Sequence, residues 1–155
     1  MTIYDFDTQL LKGKQAENIL DAYWKKRGIK IETVSMNFER LGIDRIFEYK
    51  NIRYTIEYKT DFLASKTGNA FIETVSVAGA RLGWAYTSLA QGLVYFLPDT
   101  HIVYYVNMIE IKRNLMKWES EFPTREVKNK TYTGNGILLP LKKFEEIGIK
   151  TIIDA

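Results

Sequence analysis

The sequence predicts an α+β fold, in which a mixed central β-sheet with an antiparallel hairpin at its core is flanked by helices. An amphipathic helical pattern opens the chain, strand-like segments bounded by turn residues follow it, and further helical patterns come late. Of the 155 residues, 46% are hydrophobic, enough for a core, and 14% are aromatic, which favours strands. We expect residues 1–155 to form a single domain, because neither a repeat nor a linker divides them.

The first half of the chain predicts one helix and then four strands. Residues 8–27 have apolar residues at helical spacing, with Asp7 or Thr8 as the predicted cap. The predicted strands are residues 29–36, 45–49, 52–60 and 70–77. The second and third are separated by Lys50 and Asn51 alone, and this short connection makes them antiparallel neighbours.

The second half predicts a buried central strand, two more helices and an edge strand. Residues 79–83 are expected to form a loop, and residues 122–135 a mobile, basic loop. The predicted strands are residues 93–97, 102–106 and 150–153, the last at a sheet edge. The predicted helices are residues 108–119 and 140–147.

The composition narrows the chemistry that the chain can carry. The absence of cysteine excludes disulfides, thiolate zinc sites and a cysteine nucleophile. The single histidine, His101, cannot form a multi-histidine site, so a metal would bind carboxylates, which suit Mg²⁺ or Mn²⁺. A net charge of +3 permits a nucleic-acid partner without requiring one. No apolar run reaches membrane-spanning length, and we expect a cytoplasmic protein without a membrane partner.

Two carboxylates and a lysine are predicted to meet at one end of the hairpin. Asp44 begins its first strand, and Glu57 and Lys59 close the second, so antiparallel pairing brings them together. Asp44, Glu57 and the main-chain carbonyl of Tyr58 would form an oxygen site for Mg²⁺. Lys59, on the same face, would orient a metal-bound water that attacks a phosphoryl group. A solvated hairpin face would tolerate the same Glu-x-Lys pattern, so the motif alone leaves both interpretations open.

The same residues carry a resemblance to a known family. Residues 42–44 (Gly-Ile-Asp) followed by residues 56–59 (Ile-Glu-Tyr-Lys) resemble the PD-(D/E)XK nuclease superfamily, which has the restriction-endonuclease-like fold. Small phage-type and homing or resolvase-like members are the most similar. Glu17, on the first helix, matches the acid that a core helix often supplies in this family. The resemblance spans about residues 8–106, although the proline that usually precedes the first acid is absent.

The resemblance implies an endonuclease that hydrolyses phosphodiester bonds of DNA with Mg²⁺ or Mn²⁺. In that family Asp44 and Glu57 would bind the metal, Lys59 would assist the attacking water, and Glu17 would be a further catalytic acid. From its place on the next strand, Glu73 would be an acid behind the site, a ligand of a second metal ion or, equally, a cross-strand partner of Lys59 or Arg53.

Further expectations concern partners and the competing functions. A chain with one active site needs a second copy to cut both DNA strands, which predicts a homodimer or a larger homo-oligomer. The main alternative is a DNA-binding module of the same fold without catalysis. A protein that does not bind nucleic acid, with its acids simply solvated, is the third possibility.

Overall fold

The computed structural model describes residues 6–76, 81–128 and 133–154, which form six α-helices, a short 3-10 helix and ten strands. The helices are α1 Phe6–Lys26, α2 Met36–Arg40, α3 Ala64–Thr67, α4 Trp84–Thr87, α5 Met108–Glu121 and α6 Leu141–Ile147, and the 3-10 helix is Pro98–Thr100. The strands are β1 Lys30–Thr33, β2 Arg45–Tyr49, β3 Ile52–Thr60, β4 Asn69–Ser76, β5 Arg81–Leu82, β6 Gly92–Leu97, β7 Ile102–Asn107, β8 Thr124–Lys128, β9 Thr133–Pro140 and β10 Gly148–Ile152.

A six-stranded mixed sheet in the order β1-β2-β3-β6-β7-β10 is the centre of the fold. Strands β3 and β6 are parallel, and the other neighbours are antiparallel. Every residue of β6 is buried, and alternate residues belong to two cores on opposite faces of the sheet. The predicted fold class is therefore confirmed, including the hairpin β2–β3, the central strand β6 and the edge strand β10.

Helix α1 covers one face of this sheet with a stripe of buried residues. Ala16, Leu20 and Tyr23 recur at helical spacing and pack in one core with side chains of β2, β3 and β6. The helix ends before Gly28, whose φ of +83° is the left-handed conformation common after a helix. The predicted cap at residues 7–8 is wrong, because both residues lie inside the helix.

The opposite face packs against helices and a second sheet, in the order β5-β4-β9-β8. Its strands β8 and β9 pair within the segment predicted to be a mobile loop, so that prediction is wrong for the described part; residues 129–132 lie outside it. The loop prediction failed because β8 is polar and nearly all exposed, while β9 contains two glycines, so neither shows an apolar alternation.

Two predicted segments also differ from the structure. The first strand ends at Thr33, and Met36 begins the short helix α2 instead of closing a strand. The predicted loop 79–83 contains β5, and residues 77–80 lie outside the described part of the chain, as does the predicted end of β4. None of the helices in the described residues is long and apolar enough to cross a membrane.

Candidate active site

The turn of the hairpin sets the register that builds the site. Lys50 and Asn51 have φ angles of 51° and 63°, the left-handed pair that a two-residue type I′ turn requires. The resulting register pairs Arg45 with Ile56. Asp44 immediately precedes Arg45, and its N–H donates to the Ile56 carbonyl at 2.8 Å.

The side chain of Asp44 turns back onto the end of β3. Its Oδ2 atom accepts a hydrogen bond from the N–H of Tyr58 at 2.8 Å. The structure therefore places Asp44 beside Glu57 and Tyr58, although 14 positions separate Asp44 from Tyr58 in the chain. The N–H and C=O of one strand residue point towards the same neighbouring strand, so the carbonyl of Tyr58 faces the side on which Asp44 lies.

Glu57 is a buried carboxylate with one unsatisfied oxygen. Only 3% of the residue is exposed, and its Oε1 lies 3.3 Å from the Nζ of Lys59. Its Oε2 has no hydrogen-bond partner among the described residues. The hydroxyl of Ser88 faces this carboxyl group, but its proton is donated to the carbonyl of Gly42 at 3.0 Å. A buried oxygen without a donor is costly, and a cation is one group that would satisfy it.

Burial dominates the electrostatics of both acids. It raises the pKa of Asp44, which the N–H of Tyr58 and the ammonium of Lys59 partly oppose. It also raises the pKa of Glu57; Lys59 and the nearby hydroxyl of Ser88 oppose this shift, and the charge of Asp44 adds to it. Two acids thus share a poorly solvated corner with one lysine, and further positive charge would stabilise their ionised forms.

Glu73 approaches Lys59 from the second sheet. Burial raises the pKa of Glu73, while Lys59 and a hydrogen bond from the N–H of Trp84 lower it. The Nζ of Lys59 lies 5.7 Å from the centre of the Trp84 ring. Glu73 is therefore a neighbour of Lys59, but not its cross-strand partner, because β4 and β3 belong to different sheets.

Glu17 is held by an arginine that the sequence reasoning did not single out. The Nη1 of Arg45 lies 3.8 Å from Glu17 Oε1 and donates to the carbonyl of Asp44 at 2.9 Å. Its Nε donates to Asp21 Oδ1 at 3.1 Å, and the same oxygen accepts the Tyr58 hydroxyl at 2.8 Å. Burial raises the pKa of Glu17, and Arg45 opposes the rise. Glu17 thus contacts the site through Arg45.

These contacts define what the arrangement can bind. In the described residues, no group of three or more acidic or histidine side chains is arranged to hold a metal ion. The donors at the hairpin end are two carboxylates and a main-chain carbonyl, which are the hard oxygen ligands that Mg²⁺ and Mn²⁺ prefer. The unsatisfied oxygen of Glu57 fits a cation at this end of the hairpin.

The arrangement of helices and sheet has a counterpart among solved structures. The fold resembles that of a bacterial homing endonuclease. That protein, I-Ssp6803I, superposes with a TM-score of 0.52 and 17% sequence identity over 66% of this chain and 71% of its own. At this identity the similarity establishes a shared fold. No protein-family model matches the chain, and the search of curated proteins found no match.

A glycine before Asp44 lets the entry to the site pack closely. Gly42 has a φ of +79°, and a Cβ added there would lie 2.6 Å from the Oγ and 2.8 Å from the Cα of Ser88. The close approach allows Ser88 to bond the Gly42 carbonyl. This contact joins the segment that enters β2 to the segment that enters β6.

We expect Gly42→Ala to lower the free energy of unfolding by about 3 kcal/mol, because a left-handed alanine is strained and its methyl group overlaps backbone. Gly28→Ala is the matched control: its φ is +83°, but no atom lies within 4 Å of the added Cβ. This control should lose about 1 kcal/mol from strain alone. Chemical denaturation of both variants measures the difference, and equal losses would contradict the packing argument.

Proposed function

We propose that this protein is a DNA endonuclease that hydrolyses phosphodiester bonds with Mg²⁺ or Mn²⁺. The observation that carries the proposal is the buried, unsatisfied Oε2 of Glu57, next to Asp44 and on the carboxyl group that pairs with Lys59. A hairpin whose Glu-x-Lys pair was only solvated would not bury the acid to 3% exposure. The fold that the chain shares with a homing endonuclease supports the same class of reaction.

Each residue of the site would have its own role in the reaction. Asp44 and Glu57, with the carbonyl of Tyr58, would hold the metal ion. Mg²⁺ bound there would act as a Lewis acid and stabilise the negative charge that develops on the phosphoryl group. Lys59, paired at 3.3 Å with Glu57, would orient the attacking water and offset that charge. Glu17 would act indirectly, through its contact with Arg45.

The proposal extends to the superfamily of the chain. The Gly-Ile-Asp and Ile-Glu-Tyr-Lys segments lie together at one end of an antiparallel hairpin, as the PD-(D/E)XK pattern requires. We assign the chain to that superfamily as one nuclease-like domain over residues 1–155. Cutting both strands of a duplex would then take a homodimer or a larger homo-oligomer, which light scattering with and without DNA would measure.

The test compares the wild type with Lys59→Ala on linear, nicked and branched DNA, with Mg²⁺ and with Mn²⁺. We expect cleavage by the wild type and a loss of about a hundredfold or more in the variant, because a charge that stabilises the transition state is removed. Lys66→Ala, which removes an exposed lysine on α3, is the matched control and should cleave normally. Equal rates for wild type and Lys59→Ala would refute the assigned role. DNA binding without cleavage under all conditions would instead support the inactive DNA-binding module.

A further inference from the structure

The second sheet has a face that points away from its core. Phe71 and Glu73 of β4, Gly136 of β9 and Arg125 of β8 share this face, because side chains alternate along a strand and Ile72, between the first two, is fully buried. We call these four residues the outer row. They are not used by the proposed chemistry, although Glu73 lies near enough to Lys59 to feel its charge.

Arg125 is the cation of the outer row, and it lies beside an aromatic ring. Its guanidinium carbon lies 5.9 Å from the centre of the Phe71 ring. That ring covers Gly136, where an added Cβ would be 2.7 Å from two ring carbons. Arg125 is exposed and forms no ion pair with any residue in the described ranges; the adjacent Glu126 points to the opposite face by alternation. An arginine whose only neighbour of this kind is a ring keeps its N–H donors free for a phosphate.

The outer row leads directly to the candidate active site. Glu73 and Arg125 are both in register with Gly136, so they are two strands apart, about 10 Å at ordinary strand spacing. Glu73 packs against the start of α4, where a Cβ added at Gly83 would lie 2.8 Å from Glu73 Cγ. Lys59 Nζ lies 5.7 Å from the centre of the ring of the next residue, Trp84. A β-bulge follows Glu73, a feature common beside active sites because it re-aims a side chain. The charge of Glu73 is balanced by Lys59 and by the N–H of Trp84.

We propose that the outer row is the surface along which the DNA backbone leaves the active site, with Arg125 binding a phosphate a few nucleotides from the one attacked. The proposal rests on the proposed function and extends it to a substrate-binding subsite. Because Gly136 has no side chain, the ring of Phe71 lies over it, beside the guanidinium of Arg125. An exposed arginine that forms no ion pair among the described residues supplies the positive charge that phosphate contacts need.

The experiment measures the binding of a fluorescein-labelled duplex by fluorescence anisotropy in EDTA. The salt concentration is varied between about 50 and 200 mM, the range in which phosphate contacts make affinity strongly salt-dependent. Arg125→Gln should bind about tenfold more weakly, since it loses a charge-assisted hydrogen bond. Its plot of log affinity against log salt should be shallower by about 0.9, the slope of one phosphate contact. Phe71→Leu, which keeps the charge but removes the ring, should weaken binding by less.

The matched control is Lys25→Gln, an equal change of charge on α1, which packs on the other face of the six-stranded sheet. It should keep the affinity and salt slope of the wild type. If Arg125→Gln equals this control while the wild type cleaves DNA, the outer row is not the binding surface and the proposed function stands. If the wild type neither binds nor cleaves DNA, both proposals fail. Melting curves of the variants show whether each is folded.

Discussion

Glu57→Gln is expected to abolish DNA cleavage and, at the same time, to raise the stability of the metal-free protein. Glu57 is 3% exposed, has an oxygen without a donor and has a pKa that burial raises. Glutamine keeps the shape and removes the charge, so the cost of burying a charged group is removed. Lys59 loses a partner but is 37% exposed and remains solvated. We expect cleavage to fall at least about a thousandfold and stability to rise by about 1 kcal/mol.

The pH dependence of stability provides a second measurement on the same variant. Because the pKa of Glu57 is higher in the folded than in the unfolded protein, the folded state binds the proton more readily. The contribution of Glu57 to stability is therefore greatest at low pH. It falls as the pH rises from the ordinary glutamate value to the raised one, and then levels off. The difference in free energy of unfolding between Glu57→Gln and wild type should grow across this interval.

Two further measurements distinguish metal binding at Glu57 from a general effect of removing a negative charge. They are the response of stability to Mg²⁺ and a control variant on the surface. Mg²⁺ should raise the melting temperature of the wild type and leave that of Glu57→Gln unchanged, since a ligand stabilises only the state that binds it. Glu110→Gln removes an acid from an exposed pair with Arg113 and should change neither cleavage nor the response to Mg²⁺. A Glu57→Gln variant that cleaves like the wild type would exclude Glu57 from the chemistry.

The central hairpin could be predicted from the sequence because its information is local. The boundaries of β2 and β3 follow from period-two alternation and from a two-residue connection, and both agree with the structure. The position of Asp44 beside Glu57 follows from the same register. The helix α1 and the central strand β6 are equally local, since each carries a continuous apolar pattern.

Contacts between distant elements could not be predicted in this way. Glu73 reaches Lys59 from a second sheet, which the sequence pattern did not separate from the first. Arg45 looked like an ordinary polar residue on β2, and its role depends on Asp21 of α1, 24 positions away. Glu17 was placed at the site by family resemblance, but its distance from the carboxylates depends on how Arg45 lies between them. Such details arise from tertiary packing, about which spacing along one strand carries no information.

Replacing Arg45 is expected to cause a large loss of stability at the site. Arg45 and Asp21 are 12% and 15% exposed, and Arg45 also bonds the carbonyl of Asp44 and lies near Glu17. In Arg45→Met, the carboxylate of Asp21 keeps only the Tyr58 hydroxyl among these partners. Removing one member of a buried pair leaves an uncompensated charge, so the free energy of unfolding should fall by about 3 kcal/mol. Cleavage should also fall, since Arg45 positions Asp44.

A matched change on the neighbouring strand isolates burial as the cause. Arg53 pairs with Glu32 at 2.8 Å, shorter than the 3.1 Å of the Arg45–Asp21 pair, but both side chains are about half exposed. Arg53→Met should therefore cost less than about 1 kcal/mol. In the double variant Arg45→Met, Asp21→Leu, part of the lost stability should return, because the buried charge of Asp21 is removed together with its partner. Urea denaturation of the three variants measures these changes in the free energy of unfolding. Equal losses for the two arginines would show that contact distance outweighs burial, contrary to the desolvation argument.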